Sequence, residues 1–151
     1  MRKFGLVCCV VFIFGSLMAA QKTEFSGSYA HLTGPVGKDG FDVSAGYLAS
    51  RHLGLEADVG GYYAKQNGVS DNVYTYTGGP KITFSKHEVV TPFVHVLFGG
   101  AREFSQNYFT VMGGGGVDVG TKKYGLRFKL DAVNFNNDTH ARVAAGLVLR
   151  R

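Results

Sequence analysis

Cysteine is confined to the start of the chain, where Cys8 and Cys9 stand side by side. The rest of the sequence therefore offers no disulfide and no thiolate ligand for a metal. Tryptophan is absent, and no apolar run reaches the roughly 20 residues that a membrane-spanning helix requires. These absences exclude a disulfide-stapled domain, a thiolate metal centre and a helical membrane protein.

An excess of charge of one sign is also missing. The sequence has 16 basic and 11 acidic residues, and Arg2 and Lys3 lie in a segment that we expect to be removed, which leaves 14 basic residues. A balance this close does not favour a nucleic-acid partner.

The first 20 residues have the layout of a secretory signal peptide. Arg2 and Lys3 precede an apolar run of about ten residues at 4–14, and the small residues of 16–20 (SLMAA) precede Gln21. The run is too short for a membrane anchor. We predict a signal peptide at 1–20 and a single β-barrel domain at 21–151.

From Thr23 onward the dominant pattern has a period of two, which indicates β-strands. The clearest run is 53–61, where apolar residues such as Leu55 and Val59 alternate with polar or small ones such as Glu56 and Asp58. Eight such runs of about ten residues follow one another, which is the length a tilted membrane strand needs. An even number of antiparallel strands can close without an edge. The predicted fold is all-β, an eight-stranded antiparallel up-and-down transmembrane β-barrel.

The connections between these runs are predicted to alternate in length. Turn-forming residues cluster in short turns centred near 51, 87 and 122 and in longer loops at 33–40, 65–72, 103–107 and 134–139. Long external loops and short periplasmic turns are typical of outer-membrane barrels.

The polar face of the runs carries charges of both signs in near balance. Six acids, Glu24, Asp42, Glu56, Asp58, Asp118 and Asp131, accompany five bases, Lys81, Arg127, Lys129, Arg142 and Arg150, with His95 beside them. A narrow lumen requires such a balance, because an unpaired charge held there is costly. The residues predicted to form a structural lumen network are Glu56, Asp58, Lys81, His95, Asp118, Arg127, Lys129, Asp131 and Arg142.

The apolar face gathers aromatic residues near the strand ends, as the interfacial girdles of membrane barrels do. The candidates are Phe41, either Tyr62 or Tyr63, Tyr74, Tyr76, Phe84, Tyr108, Phe109 and Tyr124.

The final third of the chain carries a family resemblance. Segments 113–119 (GGGGVDV), 124–131 (YGLRFKLD) and 142–149 (RVAAGLVL), with Asn136 and Asn137 between the last two, resemble the closing strands of the OmpA/OmpX-type outer-membrane β-barrel domain family, also described as the porin family. The resemblance implies the cell outer membrane of a Gram-negative bacterium as location, outer-membrane lipid as surroundings and the barrel-assembly machinery as a partner during biogenesis. Family members usually end on an aromatic residue, and Arg151 departs from that pattern.

Eight strands leave too narrow an interior for a solute channel once side chains fill it. The sequence shows no motif for catalysis, for a cofactor or for a metal, and no histidine is followed two positions later by serine, as in barrel deacylases. We therefore expect a non-enzymatic barrel with a structural or surface-interaction role through its external loops, whose specific ligand or protein partner the sequence does not identify.

The alternative is a soluble periplasmic or secreted barrel that binds a small apolar ligand. It requires the apolar face, with Leu55, Val59, Val117 and Leu126, to point inward. The lack of tryptophan speaks against it, since lipocalins generally carry one near their first strand.

Overall fold

Each period-two run forms a strand in the computed structural model, which describes residues 23–34, 37–66, 69–84, 89–135 and 137–151. The predicted signal peptide lies outside the described residues. No helix in the described ranges is long and apolar enough to cross a membrane. The strands are β1 (Thr23–Leu32), β2 (Lys38–Leu48), β3 (Leu53–Gln66), β4 (Val69–Thr83), β5 (Val90–Glu103), β6 (Gln106–Gly120), β7 (Tyr124–Phe135) and β8 (Asp138–Arg150).

The strands form one closed antiparallel barrel. Each pairs with the next along the chain, and β8 returns to pair with β1 from Glu24 opposite Arg150 to Leu32 opposite Arg142. Backbone hydrogen bonds between Thr23 and Arg151 complete the seam. The predicted eight-stranded up-and-down barrel is confirmed.

The barrel is charged inside and apolar outside. Leu55, Val59 and Leu126 face outward and are 59%, 56% and 49% exposed, whereas Asp58 and Arg142 face the lumen and are fully buried. A soluble barrel with an apolar lumen needs the opposite arrangement, so that alternative is wrong. A belt of exposed aliphatic and aromatic side chains around a polar interior is the arrangement of a membrane barrel.

The predicted difference between long loops and short turns is wrong. At one end, which we call the loop end, the strands are joined through 33–37, 67–68, 104–105 and 136–137, and at the other, the turn end, through 49–52, 84–89 and 121–123. Most of the predicted loop residues are therefore strand. The hydrogen bonds of a β-ladder join backbone groups and do not depend on the side chains. Polar residues at the ends of strands, such as Lys65 opposite Ser70, therefore still pair.

Proline occurs twice inside the sheet, at Pro92 in β5, which pairs with Val117, and at Pro80 in β4. The register of β4 on β5 passes from Gly78 opposite Phe98 to Lys81 opposite His95, without pairs at Gly79 and Pro80. Proline has no N–H to donate, so the ladder is interrupted at this point and resumes in the same register.

Aromatic side chains ring both ends of the outer face. Of the two adjacent tyrosines left open, Tyr63 faces outward and Tyr62 is fully buried in the lumen. Tyr108 is an exception to the prediction, because it packs against the apolar cluster in the lumen. Exposed aromatic residues toward the loop end are Tyr29, Phe41, Tyr63, Tyr74, Tyr76, Phe104 and Phe109, those toward the turn end are Phe25, Phe84 and Tyr124, and Phe98 and Phe128 lie between the two ends.

Candidate functional site

One group of lumen charges, the turn-end cluster, lies between β1, β4, β6, β7 and β8. Arg127 lies directly across the β6–β7 ladder from Asp118 and donates hydrogen bonds to it from Nε at 2.7 Å and from Nη2 at 2.8 Å. Arg150 also reaches Asp118, at 2.5 Å. Glu24 accepts from Lys81 at 2.7 Å and from Arg127 at 3.2 Å. In this cluster the carboxylates of Glu24 and Asp118 are therefore paired with three cations, those of Lys81, Arg127 and Arg150.

A second group, the central cluster, is built around Arg142. This residue faces Asp131 across the β7–β8 ladder and donates to it through Nε and Nη2, at 2.8 and 2.6 Å. Its Nη1 donates to Asp58 at 2.8 Å. Lys129 donates to Asp58 at 3.0 Å and also to Asp42 on β2. Opposite charges placed across one ladder hold neighbouring strands, and the contacts to Asp58 tie opposite walls of the barrel together.

His95 joins the two clusters. Its Nε2 lies 2.9 Å from Asp131, and its Nδ1 lies 3.2 Å from Glu56. Glu56 in turn lies 2.9 Å from Lys81 of the turn-end cluster. Only the Nε2 contact has hydrogen-bond geometry, and the Nδ1 contact is one of proximity. Five bases and His95 thus accompany the six acids of the lumen.

All nine residues of the predicted network lie inside the barrel, and none is more than 3% exposed. The structure brings them into one continuous set of ion pairs. It adds Glu24, Asp42 and Arg150, which share the polar face in the sequence but are absent from the predicted network.

Phe93 and the β6 glycines complete the packing of the charged region. The Phe93 ring lies against Lys81 Nζ at 4.4 Å and Arg127 Cζ at 4.8 Å, as in cation–π contacts. A Cβ on Gly116 would come within 2.0 Å of the Phe128 carbonyl oxygen and 2.9 Å of the Phe93 ring. A Cβ on Gly114 would overlap Asp131. These two glycines make room for the ring and the ion pairs.

The loop-end half of the lumen is filled by an apolar cluster that the sequence pattern did not predict. Above it, Lys38 and Glu103 pair at 2.7 Å and are 10% and 16% exposed in their side chains. Among the described residues, the other ion pairs of the lumen therefore lie in the turn-end half and apolar side chains in the loop-end half. The cluster comprises Ala30, Leu32, Tyr62, Val73, Leu97, Ala101, Met112, Val133, Phe135 and Ala144.

The other histidines serve local contacts. His31 pairs with Asp39 at 2.7 Å, while His52 and His140 bond the carbonyl oxygens of Thr83 and Thr33. His87 lies outside the described residues. In the described part of the chain, no three His, Cys, Asp or Glu side chains come close enough together to hold a metal ion.

Several solved structures share the fold of the chain. Neisserial surface protein A superposes with a TM-score of 0.69 at 16% identity, covering 85% of this chain and 95% of that one. OprG from Pseudomonas aeruginosa gives 0.67 at 8% identity, with 87% and 96% covered. Ail, the attachment invasion locus protein of Yersinia pestis, gives 0.59 at 11% identity, with 87% and 99% covered.

The chain has the fold of an eight-stranded outer-membrane β-barrel. The superpositions cover nearly the whole of each of these three barrels. No family model matches the sequence, and no curated protein matches it significantly. At identities this low the likeness concerns the fold of the barrel.

Proposed function

We propose that the chain is an integral outer-membrane protein of the OmpA/OmpX type from a Gram-negative bacterium, with a closed lumen and a structural or surface-interaction role. The filled interior is the observation that carries the proposal. A ring of ion pairs occupies the turn-end half and an apolar cluster occupies the loop-end half. Neither half holds an arrangement suited to catalysis, so the activity of such a barrel resides on its outer surfaces.

The outer surface supports the location in a membrane. Large apolar side chains such as Leu130 and Leu147 are 63% and 64% exposed on strands whose opposite faces are charged. Leaving such a belt in water is unfavourable at about 25 cal/mol per Å². We therefore propose that this surface contacts lipid and that the barrel-assembly machinery inserts the protein into the membrane.

The proposed orientation places the loop end outside the cell. Thr23 begins β1 at the turn end, and Arg151 lies beside it. An exported chain reaches the outer membrane from the periplasm, so the tips of β1 and β8 at Thr23 and Arg151 need not pass through the membrane if the turn end stays on the periplasmic side. Two of the similar structures are described as a surface protein and an attachment invasion protein, which accords with a loop end that meets the surroundings of the cell.

Fractionation and conductance together test this function. We expect the protein in the outer-membrane fraction and a shift in gel mobility between unheated and heated samples. Purified barrels in planar lipid bilayers should give no discrete conductance steps if side chains close the lumen as proposed. Recovery in the soluble periplasmic fraction would contradict the location, and regular single-channel steps would contradict the closed lumen.

A further inference from the structure

We propose that a cleft at the loop end binds the phosphate of a lipid headgroup. The cleft measures about 350 Å³ and is lined by Asn72, Tyr74, Arg102, Phe104 and Ser105. It opens on the outer face of the barrel where β4, β5 and the β5–β6 turn meet. The inference rests on the barrel lying in a bilayer, as proposed above, and goes beyond that function by giving the surface a ligand.

Arg102 is out of place on its strand. The outward side chains of β5 are apolar from Val90 to Phe98 and then change to arginine. Within the described residues, Arg102 has no hydrogen bond or ion pair, whereas the neighbouring Glu103 turns inward to Lys38. An unpaired guanidinium presents donors in the fork geometry that suits a phosphate group.

The depth of Arg102 matches that of lipid phosphates. A tilted strand crosses the hydrocarbon in roughly 9–11 residues, and β5 runs eleven residues from Val90 to Gly100. Arg102 therefore lies just beyond the apolar belt. Its cross-strand partner is Tyr74, and the next row toward the membrane pairs Gly100 with Phe109. Aromatic residues of this kind mark the interfacial region.

The backbone of the cleft makes a tight turn. Phe104 and Ser105 both have positive φ, 46° and 69°, as the type I′ turn of a two-residue hairpin connection requires. The turn leaves Phe104 64% exposed at the rim of the cleft.

Among the described residues that line the cleft, none is an acid that would repel a phosphate. Asp39, an outward-facing acid of the loop end, is held by Tyr29 at 2.6 Å and by His31 at 2.7 Å. The cleft therefore combines one free cation, an amide, a hydroxyl and two aromatic rings, which suits a phosphate carried on a lipid.

The test uses the protein refolded in a neutral detergent and observed by NMR. The probes are short-chain phosphatidylglycerol, purified lipopolysaccharide and inorganic phosphate, each titrated while the Ser105 amide and Arg102 side chain are followed. We expect saturable shifts at both groups with either lipid and none with inorganic phosphate. Tighter binding of lipopolysaccharide would identify the ligand as the outer-leaflet glycolipid, and tighter binding of phosphatidylglycerol would identify a phospholipid.

Three variants assign the effect to Arg102. R102Q should weaken lipid binding about fivefold or more, the contribution of one basic residue near a charged lipid surface. K122Q removes a basic residue at the turn end and should leave binding unchanged, while R102K should retain part of it. All variants should keep the heat-dependent gel mobility of a folded barrel, which separates loss of the site from loss of the membrane protein. Unchanged affinity in R102Q, or binding of inorganic phosphate alone, would overturn the proposal.

Discussion

Replacing Arg127 by methionine tests the lumen network where it is deeply buried. The side chain is 1% exposed and holds Asp118 at 2.7 and 2.8 Å and Glu24 at 3.2 Å. Methionine keeps an apolar stem but removes the charge that both carboxylates face. Loss of one member of a buried ion pair costs about 3–5 kcal/mol.

The remaining cations set the magnitude within that range. Asp118 keeps Arg150 at 2.5 Å, and Glu24 keeps Lys81 at 2.7 Å. Neither carboxylate is left wholly unpaired, so we expect the free energy of unfolding to fall by about 3 kcal/mol, the lower end.

Leu126→Ala is the matched control on the adjacent, lipid-facing position. Leu126 is 49% exposed, and lipid fills much of the space that its side chain leaves. The transfer term of about 0.8 kcal/mol per CH₂ is then only partly lost, which gives about 1 kcal/mol or less. Reversible urea unfolding in lipid vesicles measures both variants. A larger loss for Leu126→Ala than for Arg127→Met would refute the network as the stabilising interior.

Two further predictions concern packing and orientation. Gly116→Ala should destabilise the barrel by about 1–3 kcal/mol through overpacking, because its Cβ would overlap the Phe128 carbonyl oxygen; Gly113→Ala, with nothing within 4 Å of the added Cβ, should be neutral in the same urea assay. Single cysteines replacing Ser105 and Lys122 should react with a membrane-impermeant maleimide on intact cells only at position 105, and reaction at 122 from outside would reverse the proposed orientation.

The inside and outside of the barrel could be predicted from the sequence, because side chains alternate strictly along a strand. Glu56 and Asp58 stand two residues apart and share the lumen, while Leu55 between Gly54 and Glu56 faces outward. The sequence did not decide which of two adjacent tyrosines faces outward. The structure places Tyr62 in the lumen and Tyr63 on the outer face.

Strand ends and the apolar half of the lumen could not be predicted in this way. Polar tips remain strand because pairing depends on the backbone. The apolar cluster of the lumen was not predicted, because alternation of polarity cannot separate the two faces of a strand when both are apolar, as at Val96 and Leu97. Only the inward side of that stretch packs into the lumen, where Leu97 is fully buried.

Pairing partners within the lumen depend on distances across the barrel. Asp131 and Arg142 become neighbours once the β7–β8 register is known. The contact between Lys129 and Asp58 joins strands that do not pair, across 71 positions of sequence, and only the closed barrel brings these residues together.

Quenching by brominated lipid tests most directly whether the barrel has its apolar face in lipid and its charged face inside. The chain contains no tryptophan, so Phe128→Trp and Phe93→Trp each introduce a single tryptophan, whose fluorescence is excited selectively over that of tyrosine. Phe128 is 46% exposed on the outer face, and Phe93 is 2% exposed in the lumen. Both lie next to Gly116 or Val117 of β6, at similar depth. With folding checked by gel mobility, we expect strong quenching in the Phe128→Trp variant and little in the Phe93→Trp variant. Equal quenching of the two, or stronger quenching in Phe93→Trp, would contradict the arrangement.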